Sequence, residues 1–287
     1  MKKQRNLDHL SNAELVAMTT QLDDIHNDQA MPAMTKAATE WTEVLRDQRA
    51  ASESLARRTA SRRHFLLGAA GATAGGILLA ACGSSKPAST TSTTTGGSST
   101  TTNTGVSTDL AVAAMAASLE NLAVYAYGAG IMAATAGSLG TVPPAVPVFA
   151  TTAMNQHKAH AQAWNSVLTG VGKPAVTIND PALIGPVNTQ FKAVKTVPEL
   201  AMLALFLENV AAQTYQNGVG VLSEASAIGV AATIQPVEMQ HAAILYFVLG
   251  QYPGIQGNSS NMYASGQPLA FNPVDLARPP SDIGSTR

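Results

Sequence analysis

The chain has 287 residues, 17 Lys and Arg against 18 Asp and Glu, and one cysteine. The charges after residue 82 are few and form no basic patch, which argues against nucleic acid as a partner. A single cysteine excludes a disulfide framework within one chain. The length allows one or two domains, but the composition changes so strongly along the chain that its segments have to be considered separately.

Residues 1–60 are polar and helix-prone. Ser11 and Glu14 have the spacing of a capping box, and a second charged stretch runs from Glu40 to Arg58. As the start of an export signal this segment is long. Either translation begins downstream of Met1, or a polar pre-segment precedes the signal, and in both cases we expect the segment to be absent from the mature protein.

Residues 61–81 have the features of an export signal. Arg62 and Arg63 precede an apolar run, 66–81, that is too short and too rich in glycine for a comfortable membrane span. The paired arginines followed by Phe-Leu resemble a twin-arginine signal, and Leu-Ala-Ala-Cys ending at Cys82 resembles a lipoprotein processing box. We therefore predict export by the twin-arginine machinery, cleavage before Cys82 and a lipid on that cysteine. The protein would then be anchored to the outer face of the cytoplasmic membrane, in the cell envelope. The competing interpretation is an ordinary apolar helix preceded by chance arginines.

Residues 82–107 are rich in Ser, Thr and Gly and predict a flexible tether. Residues 108–250 predict an all-α domain of four helices, because long apolar stretches are bounded by Pro, Gly and capping residues. The predicted helices span about 107–136, 144–168, 197–222 and 226–249, with a loop-like crossover over 172–197 and an irregular tail over 251–287. The helices are apolar nearly all round, which favours a soluble bundle in which most faces are buried. A transmembrane bundle is the alternative.

A repeat divides these four helices into two hairpins. Leu-Glu-Asn at Glu120 returns at Glu208, 88 residues later, and each of these Glu residues has a Tyr seven positions on. In the second helix of each hairpin, a residue of metal-ligand type is followed three positions later by His. The pairs are His157 with His160, and Glu238 with His241, 81 residues apart. Both spacings return to one helix face.

Burying a carboxylate in an apolar helix is costly unless the group is paired with a cation. The first, third and fourth predicted helices contain no Lys or Arg, and Lys158 of the second helix points away from the adjacent histidines. A metal ion is the remaining source of positive charge. The candidate ligands are Glu120, His157, His160, Glu208, Glu238 and His241. This hard set of oxygen and nitrogen donors suits iron or manganese, one or two ions per chain, and could accept zinc.

The residues from about 108 to 250 resemble an exported bacterial ferritin-like domain protein. The Leu-Glu-Asn motifs with their downstream tyrosines and the Glu-x-x-His motif of the fourth helix carry the resemblance. It implies a four-helix bundle of two hairpins joined by a long crossover, with a central dimetal site. It also implies that Glu120 and Glu208 are terminal carboxylates, Glu238 is a bridging carboxylate, and His160 and His241 are terminal imidazoles.

His157 departs from the pattern, because a Glu would be expected there. An imidazole does not bridge two metals as a carboxylate does, so the change could make the pair unequal or leave one tightly held metal. Tyr127 and Tyr215 lie two turns from the two repeated Glu residues. They could hydrogen-bond ligand carboxylates or act as redox-active phenols. The alternative for both is a core Tyr with a satisfied hydroxyl.

The sequence therefore supports one main functional hypothesis and leaves two others open. The main one is an exported, lipid-anchored metalloprotein that acts on dioxygen or peroxide, as a ferroxidase, a peroxidase or a catalase-like enzyme. The second is a non-catalytic envelope protein whose metal is structural. The third is a metal-free scaffold with a role in stress tolerance. A homodimer also remains open.

Overall fold

The computed structural model describes residues 11–71 and 100–249, and side chains over 11–58 and 108–249. All regular structure in these ranges is helical. The elements are α1 (Asn12–Ile25), a π-helical turn (His26–Ala30), α2 (Met31–Gly71), α3 (Thr100–Thr135), α4 (Ala145–Gly170), α5 (Ile184–Ala193), α6 (Val197–Val221) and α7 (Ala225–Val248). Cys82, most of the predicted tether, the predicted tail and the side chains of Arg62 and Arg63 lie outside the described residues.

The predicted all-α fold is confirmed. Helices α3 and α4 form one hairpin, α6 and α7 form the second, and α3 also contacts α6. The long crossover of the ferritin-like arrangement joins the two hairpins, from the end of α4 to the start of α6. The bundle core consists mainly of Ala, Leu and Val with a few aromatic rings, and Trp164 and Ile234 are among its fully buried members.

Local signals place the ends of α4 and α6 where the sequence predicts them. Thr196 caps α6, and Thr196 and Glu199 form a capping box, with Pro198 in the first turn. Helix α4 ends in a Schellman motif, in which Gly172 has a φ of 79° and the backbone N–H of Lys173 bonds the Leu168 carbonyl at 2.9 Å.

The start of α3 differs from the prediction. The helix begins at Thr100, not near Ser107, because a helix that is anchored by a buried turn extends at little cost into the polar residues before it. The buried carboxylate of Asp109 in α3 accepts hydrogen bonds from the backbone N–H groups of Ser223 and Glu224, at 3.0 and 2.9 Å, where α7 begins. Asp109 thus ties the start of the second hairpin's α7 to the first hairpin.

The crossover, predicted as loop, contains the short helix α5. The Asp180 carboxylate accepts from the backbone N–H groups of Ala182 and Leu183 and organises the turn that enters this helix. Val187 of α5 is buried against the bundle, and Asn121 of α3 donates to the carbonyls of Val176 and Ile178. These contacts hold the crossover against α3 and α6.

The N-terminal helices pack on the bundle. Helices α1 and α2 contact both α4 and α7, and their buried residues include Leu15, Leu22, Met34 and Trp41. The Trp41 ring meets Trp164 edge to face, with centroids 6.2 Å apart. The sequence indicated a polar pre-segment outside the domain. In the full-length chain, residues 12–58 of that segment instead pack on the helical bundle. The proposed processing before Cys82 stays a prediction.

In the described part of the chain, one helix is long and apolar enough to cross a membrane. It covers Thr108–Thr135 of α3, and 67% of its most apolar window is buried inside the protein. A helix in the core of a bundle has the same composition, because its partners cover most of its sides.

Candidate metal centre

The six residues proposed as ligands meet at the centre of the bundle. The two repeated Glu residues come from α3 and α6, and the two ligand pairs three residues apart come from α4 and α7. None of the six side chains is more than 1% exposed. They are Glu120, His157, His160, Glu208, Glu238 and His241.

The His157 ring lies between the carboxylates of the two hairpins. Its Nδ1 is 2.7 Å from Glu120 Oε2, and its Nε2 is 3.2 Å from Glu208 Oε1. Each nitrogen of one imidazole thus faces the carboxylate of a different hairpin. His157 stands in the middle of the cluster, where the resemblance implies a bridging ligand.

Glu238 lies between the other two histidines. Its Oε1 is 2.9 Å from His160 Nδ1, and its Oε2 is 3.6 Å from His241 Nδ1. Neither oxygen has a donor in hydrogen-bond geometry, and His160 Nδ1 also lacks a hydrogen-bond partner. Because an unsatisfied buried carboxylate is costly, these orphaned atoms fit a cation held between them.

The donor atoms form two groups of four. One group contains Glu120 and His160, the other contains Glu208 and His241, and both include His157 and Glu238. Within each group the ligand atoms all lie within 4.8 Å of one another. The arrangement is compatible with two neighbouring metal positions, and its oxygen and imidazole donors are ligands that iron, manganese and zinc accept.

The carboxylates and imidazoles of the cluster lie so close together that they shift one another's pKa values. Burial alone would raise the pKa of Glu120, but His160 and His157 beside it lower that pKa to about 2. The pKa of Glu208 is also lowered, by His241 and His157 against the effect of burial.

The histidines shift in the opposite direction. Burial would lower the pKa of His160, but the adjacent carboxylates of Glu120 and Glu238 raise it to about 9. The same carboxylate environment raises the pKa values of His157 and His241. A metal ion that binds near neutral pH must therefore displace protons from imidazoles.

Comparison with known families agrees with this geometry. The sequence model of the ferritin-like domain matches residues 108–251. The chain belongs to the ferritin-like domain family. No curated protein and no solved structure matches it.

Tyr127 and Tyr215 form hydrogen bonds with two of the candidate ligand carboxylates across the ferritin-like bundle. The Tyr127 hydroxyl of the first hairpin donates to Glu208 of the second, and the Tyr215 hydroxyl of the second donates to Glu120 of the first. Each tyrosine thus fixes the Glu of the opposite hairpin. Burial and the adjacent carboxylates raise the pKa values of both phenols well above the usual value, so both hydroxyls remain donors. Tyr215 also accepts a hydrogen bond from the Trp164 indole N–H at 3.0 Å.

Three residues at the centre were not predicted from sequence. The Gln156 carbonyl Oε1 is 2.8 Å from His241 Nε2, and the Gln156 amide donates to Asp23 of α1 at 3.1 Å. His26, in the π-helical turn, is buried with its ring centroid 5.3 Å from that of His160. Burial and His160 lower the pKa of His26 to about 4.

Gln156 lies four residues before His160 on the same helix face, and this spacing could have identified Gln156 from the sequence. Asp23 and His26 were missed because residues 1–60 were assigned outside the domain.

Proposed function

We propose that this chain is an exported, lipid-anchored metalloprotein that holds iron or manganese in the core of its ferritin-like bundle and acts on dioxygen or peroxide. The observation that carries the proposal is the pair of four-ligand groups that share His157 and Glu238, with both oxygens of Glu238 unsatisfied. A buried carboxylate without a hydrogen-bond donor is stabilised by a cation beside it, and the cluster offers a full set of ligands for a metal ion.

Each ligand has a distinct place in this proposal. Glu120 and His160 hold one position, Glu208 and His241 hold the other, and the remaining two ligands face both positions. When bound, iron or manganese supplies the one-electron redox steps that reactions with dioxygen or peroxide require. His157 presents one nitrogen to each position, and it would serve two ions only as an imidazolate, because a neutral imidazole has a single lone pair.

The surrounding residues keep the site rigid and dry. Tyr127 and Tyr215 bond one oxygen of each terminal carboxylate, which leaves the other oxygen directed at the cluster. Phe149 meets the His241 ring edge to face at 6.2 Å, and Tyr127 stacks on His157 at 5.6 Å. These rings exclude water and fix the imidazole planes, which strengthens electrostatic interactions in the centre.

The location in the cell envelope rests on the sequence. Arg62, Arg63 and the Leu-Ala-Ala-Cys run at Cys82 support twin-arginine export and lipid attachment, and the Ser- and Thr-rich stretch after Cys82 would tether the bundle to the membrane. The twin-arginine route moves folded proteins, which is compatible with loading a metal before export. A homodimer in the envelope is also part of the proposal.

The proposal is tested by turnover. The full chain, loaded with ferrous iron under anaerobic conditions, is mixed with oxygen or with peroxide, and oxygen uptake, peroxide loss and ferric absorbance are followed. Glu238→Ala should abolish turnover, because it removes a ligand shared by both positions. Lys158→Ala changes an exposed residue between the two histidines of α4 and should retain the wild-type rate. Absence of turnover in the metal-loaded wild-type chain would overturn the catalytic part of the proposal.

One observation favours the alternative, a non-catalytic envelope or stress-protective protein with a structural or absent metal. His157 lies within hydrogen-bond distance of both Glu120 and Glu208, so three carboxylates and three imidazoles can pair among themselves. Stoichiometric metal without turnover would support a structural metal. Absence of bound metal after reconstitution would support the metal-free form.

A further inference from the structure

The inference concerns the side of the centre that α4 and α7 form, and it rests on the proposed metal binding. Helices α1 and α2 contact α4 and α7, which carry all three histidine ligands. Asp23 in the last turn of α1 and His26 in the π-helical turn lie next to the cluster, and π-helical turns inside helices are frequent at functional sites. The N-terminal segment thus reaches the immediate surroundings of the ligands.

A chain of two hydrogen bonds joins this segment to His241. The His241 Nε2 atom lies 2.8 Å from the Gln156 carbonyl Oε1, and the Gln156 Nε2 lies 3.1 Å from Asp23 Oδ1. Gln156 and His241 are buried and shielded from solvent. The other ring nitrogen, His241 Nδ1, faces the carboxylates of Glu208 and Glu238.

The chemistry of the three groups fixes the direction of this chain. An ionised carboxylate only accepts hydrogen bonds, so Asp23 requires the amino group of the Gln156 amide to face it. The carbonyl of Gln156 must then face His241, and a carbonyl also only accepts. When a metal displaces one proton from His241, the proton that remains is therefore the one on Nε2, and Nδ1 carries the lone pair toward the metal position.

We propose that, in the full-length chain before the proposed cleavage, Asp23 is a positioning residue for the metal centre, which sets the metal-binding tautomer of His241 through Gln156. Without the carboxylate, the Gln156 amide is free to turn over and present its amino group to His241 Nε2. That nitrogen would then have to accept, and the proton would lie on Nδ1, where it blocks the metal. Partners that orient a ligating histidine typically change metal affinity by about 10- to 100-fold when they are removed.

The experiment measures the affinity of the full chain for cobalt(II), by competition with a chromophoric chelator and by the visible absorption of the bound ion. Asp23→Ala should weaken binding by about 10- to 100-fold. Asp23→Asn should weaken it less, because the carbonyl of its amide can still accept from Gln156. A second change, Gln156→Glu, made together with Asp23→Ala, should restore the affinity, because a carboxylate at 156 must accept from His241 Nε2.

Arg46→Ala is the matched control. Arg46 of α2 donates to the Gly170 carbonyl at the end of α4, at 3.0 Å, so its removal loosens the same pair of helices without touching the hydrogen-bond chain. It should leave the cobalt affinity unchanged. The inference is overturned if Asp23→Ala binds cobalt as tightly as wild type, if Arg46→Ala weakens binding equally, or if Gln156→Glu fails to restore the affinity of Asp23→Ala. A wild-type chain that binds no cobalt would overturn the proposed function itself, and the inference with it.

Discussion

Truncating Trp41 tests whether the N-terminal helices belong to the folded body. Its side chain is 0% exposed and packs perpendicular to Trp164, with ring centroids 6.2 Å apart. Replacing a buried Trp by Ala removes its transfer free energy and leaves a cavity, at a typical cost of 3–5 kcal/mol, so we expect Trp41→Ala to lower the free energy of unfolding by about that amount. With an m value of about 2 kcal/mol per molar urea, the midpoint falls by about 1.5–2.5 M.

The assay is urea unfolding of the full chain, followed by far-ultraviolet circular dichroism. Leu55→Ala is the control, because Leu55 lies on the same helix and is 63% exposed. It should change the free energy of unfolding by less than about 0.5 kcal/mol. If the two variants unfold at the same urea concentration, α2 does not pack on the bundle in solution, and both this reasoning and the assigned role of Asp23 lose their basis.

Three further predictions concern charges. Asp109→Ala should destabilise the protein by about 1–3 kcal/mol, because it leaves the N–H groups at the start of α7 without their acceptor, and an unchanged melting temperature would contradict this. In the chain treated with a chelator, the stabilisation by Glu120 and His160 should be complete between pH 4.5 and 6.5. The highest stability should lie near pH 6.5, because below that pH the unfolded state protonates His26, whose pKa in the fold is lowered to about 4. The contribution of Glu120 is lost as the pH falls toward its pKa of about 2, and that of His160 is lost as the pH rises through its pKa of about 9. A melting temperature that rises from pH 7 to about pH 9 would contradict this loss of stability. Cobalt affinity should increase with pH near neutrality, because the metal displaces protons from imidazoles whose pKa values are raised, and a flat profile would show that they are already neutral.

The bundle and its central cluster could be predicted from the sequence because both follow from local, periodic signals. Repeated Glu, His and Tyr residues at helical spacing lie on one face of each helix, and all the predicted ligands and both tyrosines meet in the structure. The caps of α4 and α6 were also predictable, because capping boxes and terminal glycines act over a few residues.

The unpredicted features depend on contacts between distant parts of the chain. Asp109 caps an element more than a hundred residues away, and the partners of Gln156 lie on α1 and α7. The N-terminal helices bury only a narrow stripe that includes Met34, Trp41 and Leu45, within a segment that is otherwise polar. Such a stripe is a weak sequence signal for a packed helix, and a strong export-signal pattern follows it. The segment was therefore interpreted as separate from the domain.

The central claim is that two metal positions share His157 and Glu238, and counting the bound ions tests it most directly. Native mass spectrometry of the full chain, titrated with manganese(II) or ferrous iron without oxygen, gives the number of ions per chain. We expect two ions in the wild-type chain and loss of both in Glu238→Ala, because that residue belongs to both groups. A wild-type chain that binds fewer than two ions, or a Glu238→Ala variant that retains two, would contradict the account.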